Sequence, residues 1–259
     1  MKRRAFVQTA GLAMALPSLA MAADAPASPS ARRRLLAFGS GNFAAFLKHI
    51  VPMAGKPNPK ICYVPTATGD SLVNITNWYA ASESLPMQAH VMKSFISSYT
   101  TKKNFEDKLM EMDAVFIGGG NTLNMLAVWK AQGIDQALRK AYDKGVLMTG
   151  GSAGSLCWFE SGTSDSRPSE LSKVDCMGWL KGSNCPHFDA EAFRRPLYHD
   201  LIKKGELPPG YACDNLAGVY FEDEKFIRSV ALNDKSFSYH VDLVGGNISE
   251  TRLPTDVLK

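Results

Sequence analysis

The residues best placed for covalent chemistry are Gly150-Gly151-Ser152-Ala153-Gly154, a serine caged by small side chains directly after the apolar run at 145–149. That order reads as a buried strand, a sharp turn and a helix opening near Ala153. A serine at such a turn takes a tight backbone conformation, and neighbouring Cβ atoms would collide with strand or helix, so small residues are required around it. Its hydroxyl then stands clear of the sheet with the next amide beside it. Glycine and serine turns also serve as phosphate cradles or plain helix starts, so the pattern needs a base, an orienting acid and an oxyanion donor from elsewhere.

Five histidines are available as bases. His49 falls in a helix, His90 inside a strand, His199 in a helical turn and His240 in a late strand, all places where histidine serves packing. His187 differs: Pro186 restricts the backbone before it, and it follows a long polar stretch. It is the expected base for Ser152. Two aspartates compete to orient it, Asp165 in the order Ser, Asp, His and Asp214 in the order Ser, His, Asp, and the residues alone leave both open. Gly118-Gly119-Gly120-Asn121 follows an apolar run, so its amides can face a carbonyl oxygen without obstruction, and Ala153 would supply the second donor. No Gly-x-x-x-x-Gly-Lys pattern or helix-opening Gly-x-Gly-x-x-Gly supports a phosphate site instead.

From Leu35 onward apolar runs alternate with helical spacing, the signature of β-α units and a mostly parallel sheet. Strands are expected at 35–38, 61–65, 89–92, 114–117 and 145–149. Helices are expected after Gly41 and at 74–84, 105–112, 122–129 and 133–144. Residues 160–180 read as a long polar loop, which in an open α/β sheet would narrow the cleft above the carboxyl ends of the strands. A helix at 196–203 and short strands near 217–221, 226–231 and 237–241 follow, the last three as antiparallel additions at the sheet edge.

The chain has 259 residues, 45% hydrophobic and 21% charged, which suits one α/β domain over 35–259. Lys2, Arg3 and Arg4 precede an uncharged apolar stretch at 10–20 and a small-residue Ala20-Met21-Ala22 site, the pattern of a twin-arginine export signal over 1–22. The apolar stretch is short for a membrane span. A flexible leader at 23–34 and a periplasmic product without membrane insertion follow from this reading. Losing those three cations takes the formal charge from +4 to +1, so the basic balance gives no reason to expect a nucleic-acid partner. Five cysteines without metal-ligand spacing argue against a structural zinc or any other metal, and an oxidising compartment makes Cys176 with Cys185 the pair to test for a disulfide.

Gly118-Gly119-Gly120-Asn121-Thr122, Gly151-Ser152-Ala153-Gly154, Cys185-Pro186-His187-Phe188-Asp189, Arg194-Arg195-Pro196-Leu197-Tyr198-His199 and Asp214-Asn215 together resemble the S51 serine peptidases, the dipeptidase E (aspartyl dipeptidase) and cyanophycinase group. The resemblance spans residues 35–241. It implies a three-layer α/β/α fold similar to class I glutamine amidotransferases (flavodoxin-like), with serine for their cysteine, and cofactor-free hydrolysis of small peptides. By position it implies Ser152 as nucleophile, His187 as base, and Gly120 and Ala153 as oxyanion donors. Asp165 matches a charge-relay aspartate, and Asp214 a carboxylate also proposed as the third member. Arg194, or Arg195 if the alignment slips by one, matches an arginine that pairs with the side chain of an N-terminal aspartate, and Asn121 is assigned to substrate binding. A homodimer is compatible with the resemblance. The competing readings are a non-catalytic amidotransferase-like binding domain, a cyanophycinase-like hydrolase of modified Asp peptides and a lipase-like α/β-hydrolase. The last is disfavoured because the oxyanion loop that fold expects is missing and the late histidine, His240, reads as a strand residue rather than a base after the acid.

Overall fold

The computed structural model describes residues 31–96 and 103–258, so the expected export signal and most of the leader lie outside the described residues. Two sheets form the frame. The first contains eight strands: β1 (Arg34–Phe38), β2 (Lys60–Val64), β3 (Gln88–Val91), β4 (Ala114–Ile117), β5 (Leu147–Gly151), β10 (Ala217–Glu222), β11 (Lys225–Ala231) and β14 (Thr255–Val257). Its order is β14-β11-β10-β1-β5-β4-β2-β3. The run from β1 to β3 is wholly parallel, and β10 joins β1 antiparallel. The second sheet holds β6 (Phe159–Arg167), β7 (Glu170–Asp175), β8 (Leu180–Cys185), β9 (Gly210–Cys213), β12 (Ser238–Val244) and β13 (Asn247–Arg252), in the order β13-β12-β9-β8-β6-β7.

Seven α-helices complete the described chain: α1 (Phe43–Met53), α2 (Leu72–Ser82), α3 (Phe105–Met110), α4 (Thr122–Gln132), α5 (Ile134–Asp143), α6 (Ala153–Leu156) and α7 (Arg194–Lys203). Local chemistry sets where they start. The side chains of Asn42, Asn104 and Asn121 accept from the amides of Ala45, Asp107 and Asn124, so each satisfies a donor that has no partner inside its helix. Apolar positions three and four apart then decide the buried face: Ile134, Ala137, Leu138, Ala141 and Tyr142 make α5 one-sided.

Alternation along the parallel strands divides the core in two, because successive side chains leave a strand on opposite faces. Leu35, Ala37, Cys62, Val64, Val115, Ile117 and Met148 pack with Trp129, Leu138, Tyr142 and Trp158. Leu36, Phe38, Ile61, Tyr63, Phe116 and Leu147 pack under α1 and α2 with Phe46, Leu47, Ile50 and Trp78. Both faces are covered, which is why these strands read as continuous apolar runs. A third cluster, with Phe188, Tyr198, Leu201, Ile202 and Val241, seats α7 on the second sheet.

The structure corrects three expectations. Residues 160–180 are not a long loop: β6 and β7 pair antiparallel as a hairpin and β6 lies parallel to β8, so no loop narrows the cleft from there. The strand at 238–244 pairs with β9 and β13 in the second sheet, not with the edge of the first. Cys176 and Cys185 are both free thiols. Cys176 follows β7 and Cys185 ends β8, and these strands lie on opposite sides of β6, so two strand spacings, roughly 9.5 Å, separate the cysteines, beyond any disulfide.

Candidate active site

β5 lies between β1 and β4, with Phe38 opposite Gly151 and Ile117 opposite Gly150. The turns leaving these three strands are therefore side by side at the carboxyl edge, where open α/β sheets build their sites. Ser152 leaves β5 at φ 56° and ψ −117°, a conformation a non-glycine residue holds only when its surroundings impose it. The imposition is visible: the Ser152 amide donates to the carbonyls of Phe38 and Gly39 at the end of β1. On the far side of the turn Gly154 packs against the Ile117 carbonyl so closely that any Cβ would overlap it. α6 begins at Ala153, and an amide in the first turn of a helix has no intrahelical acceptor.

His187 comes from the end of β8, also at positive φ (57°). Its Nε2 lies 2.9 Å from Ser152 Oγ, so the structure brings the expected base onto the expected nucleophile. Nδ1 lies 3.0 Å from Asn215 Oδ1. An amide oxygen can only accept, so Nδ1 carries the proton, and the Nε2 lone pair is left to receive the serine hydroxyl. Two backbone ties hold this pairing: Asp189 Oδ1 accepts from the Asn215 amide at 2.7 Å, and the Phe188 amide donates to the Cys213 carbonyl at 3.1 Å.

Neither expected carboxylate occupies that place. Asp214 turns away, its Oδ2 accepting from the Phe237 amide at 2.9 Å while Oδ1 is buried without a partner. Burial pushes its carboxyl up to about 6, with Asp189 adding to the shift. Asp165 on β6 is exposed and meets Arg194 Nη2 at 3.4 Å. The carboxylate nearest the imidazole is Glu191, whose Oε1 lies 3.8 Å from Nδ1. Sequence reading missed both Asn215 and Glu191. Asn215 stood next to Asp214, one of the two candidate aspartates, and Glu191 carried the available signal of spacing, four residues after His187 and three before Arg194.

Arg194 is 2% exposed and committed within the protein: Nε donates to Glu191 Oε2 at 2.6 Å, and Nη1 to the Thr163 carbonyl at 2.7 Å. The guanidinium thus ties α7 to β6 and holds Glu191 beside the imidazole. Arg195, the alternative by one residue, forms a fork with Glu250 and lies 4.6 Å over the Phe188 ring. Arg194→Met is therefore expected to lower stability by about 2–3 kcal/mol through the orphaned Thr163 carbonyl and the unpaired Glu191. Denaturant unfolding checks this; unchanged stability with a KM raised only for acidic peptides would instead mark Arg194 as the reader of substrate charge.

Burial lowers the His187 pKa, the Arg194 cation lowers it further, and Glu191, Asn215 and Asp165 oppose the shift. The imidazole is accordingly neutral, as a base must be, at a lower pH than an unperturbed histidine. On the other side of Ser152 runs Gly119-Gly120: a Cβ on Gly119 would lie 3.5 Å from Ser152 Oγ. Gly120 holds φ +132° and abuts the Ala67 carbonyl, leaving no room for a side chain. Asn121 is occupied locally, capping α4 and donating from Nδ2 to the Ser166 carbonyl at 3.0 Å. Among the described residues no group of three or more His, Cys, Asp or Glu could hold a metal, and no helix is long and apolar enough to cross a membrane.

Comparison with known proteins gives the family and the fold. The profile of peptidase family S51 matches residues 35–229. An uncharacterized peptidase YgaJ of Bacillus subtilis (strain 168) is 36% identical over 232 residues, covering 87% of this chain and 99% of that protein. Among solved structures, a putative peptidase E protein from Listeria monocytogenes EGD-e superposes with a TM-score of 0.59 at 18% identity, covering 78% of this chain and 100% of its own. A peptidase from an acI-B1 actinobacterium gives 0.66 at 15% identity, covering 86% and 94%. The fold is that of the peptidase E-like α/β proteins. The chain belongs to peptidase family S51.

Proposed function

We propose that the protein is a serine exopeptidase that hydrolyses short peptides through an acyl-enzyme. The observation that carries this reading is the Ser152 Oγ to His187 Nε2 contact of 2.9 Å, with Nδ1 held by Asn215. His187 Nε2 takes the hydroxyl proton as Oγ attacks the peptide carbonyl. The oxyanion forms between the amide of Ala153 and those of Gly119 and Gly120, and a lost donor at such a site costs roughly a hundredfold or more in rate. The C–N bond breaks as His187 returns the proton to the leaving amine. Water then attacks the ester, again giving its proton to Nε2, and Ser152 regains its own as the acid departs.

A dipeptide panel run on wild type and Ser152→Ala tests the reading. Ser152-dependent turnover of dipeptides, falling away as peptides lengthen, is expected; efficient cleavage inside long blocked peptides would exclude an exopeptidase. Export belongs to the same proposal and rests on Lys2-Arg3-Arg4 with the small-residue site at 20–22. Expressed with its leader, the protein is expected in the periplasmic fraction with a mature N-terminus close to Ala23, read by mass spectrometry. Lys2, Arg3 and Arg4 changed together to glutamine should keep it unprocessed in the cytoplasm, and a processed variant would contradict the twin-arginine route.

A further inference from the structure

Beside the nucleophile, at the carboxyl ends of β1, β2 and β4, is a cleft of about 180 Å³ with Ser152 in its wall. Phe38, Phe43, Tyr63 and Phe116 line it, and Asn74 of α2 adds a neutral amide. Phe116 gathers the rings: its centroid lies 5.9 Å from that of Phe38 and 6.1 Å from those of Phe43 and Tyr63. The remaining lining comes from serine and glycine, so no wall of the cleft carries a charge. An apolar cavity of about 150 Å³ accepts a benzene molecule, so the space matches one aromatic or large aliphatic side chain.

In a dipeptide the group transferred to Ser152 is the N-terminal residue, and its side chain must enter whatever pocket adjoins Oγ. We infer that this pocket selects an uncharged aromatic or large aliphatic N-terminal residue and rejects aspartate. The inference rests on the peptidase reading above and narrows its substrate class. Three observations carry it. The walls are aromatic and uncharged. The two arginines that could have answered a substrate carboxylate, Arg194 and Arg195, are spent on Glu191, the Thr163 carbonyl and Glu250. The charge felt at the Tyr63 hydroxyl is that of Asp70, which is negative and would repel an acidic side chain. A carboxylate moved from water into such a pocket loses its hydration with no cation in return, whereas a phenyl ring gains by burial.

The decisive comparison is phenylalanyl-alanine against aspartyl-alanine in two assays. In turnover by wild type, kcat/KM is expected to favour the phenylalanyl peptide by about a hundredfold or more, since an apolar pocket already turns away a neutral polar isostere by about a hundredfold and a carboxylate costs more to desolvate. In calorimetric titration of Ser152→Ala, which keeps the pocket and removes the chemistry, the phenylalanyl peptide should bind at least about tenfold tighter. Preference for the aspartyl peptide in either assay overturns the inference, as does failure of both peptides to bind the variant. Tight phenylalanyl binding without any Ser152-dependent turnover would overturn the peptidase reading and leave the pocket assignment standing.

Discussion

Ser152→Ala is expected to lower kcat/KM on short peptides by about a hundred-thousandfold or more while the protein stays folded. The size follows from what is lost. Without Oγ no acyl-enzyme forms, and the oxyanion amides can only assist direct attack by water, which leaves a residue of catalysis far below the wild-type rate. The fold should tolerate the change because the strain of the turn does not come from the hydroxyl. It comes from the Ser152 amide donating to Phe38 and Gly39 and from Gly154 against Ile117, and all of these survive in alanine. His187→Ala is expected to cost nearly as much alone, and the double variant little more, since the two act as one unit. Steady-state kinetics with thermal melting checks this, and mass spectrometry of a serine-directed phosphonate adduct locates the nucleophile. Activity of Ser152→Ala within tenfold of wild type would remove the serine mechanism.

Much of this site was legible because backbone chemistry wrote it into the sequence. A serine forced to φ 56° needs small neighbours, and the glycine run after β4 needs open backbone, so both left marks independent of tertiary structure. His187 was reached by elimination among five histidines, and its Nε2 lies 2.9 Å from Ser152 Oγ. The parallel strands were equally plain, since strands buried on both faces read as apolar runs.

What stayed hidden was set by contacts between distant residues. β6 looked like a loop because Ser161, Thr163 and Ser164 lack apolar alternation, yet all three are buried. Two of them are buried as hydrogen-bonding side chains: Thr163 donates to Cys185 Sγ and Ser164 lies 2.7 Å from the Ser166 hydroxyl, a kind of burial that hydropathy patterns do not record. The partner of His187 was hidden for a related reason. Asp214 and Asn215 are adjacent, and a carboxylate is the usual third group, so type favoured Asp214. The Asp189 bond to the Asn215 amide and the Phe237 bond to Asp214 set which of the two faces the imidazole. No local pattern encodes that choice.

Exchanging that partner moves the pH at which the enzyme switches on. In the wild type, burial and the Arg194 cation hold the His187 pKa below 6.5, so the acid limb of kcat/KM should have its midpoint under that value. Asn215→Asp places a negative charge about 3 Å from Nδ1 at nearly the same volume. It favours the imidazolium, and the midpoint should rise by about one to two pH units. Activity of the variant is then lower than wild type near pH 5.5 and equal or higher above pH 8, roughly, where the base is neutral in both and the carboxylate stabilises the imidazolium that forms in the transition state. Asn215→Ala has the opposite character. The ring loses its anchor and fixed tautomer, so kcat should fall by about tenfold to a hundredfold at every pH, with the limb unshifted or slightly lower. A single pH series on the three proteins separates charge from positioning. If Asn215→Asp leaves the limb where it was, Glu191, 3.8 Å from Nδ1 and held by Arg194, sets the charge state of the base instead. Glu191→Gln would then lower the midpoint, because it removes the negative charge that opposes burial and Arg194.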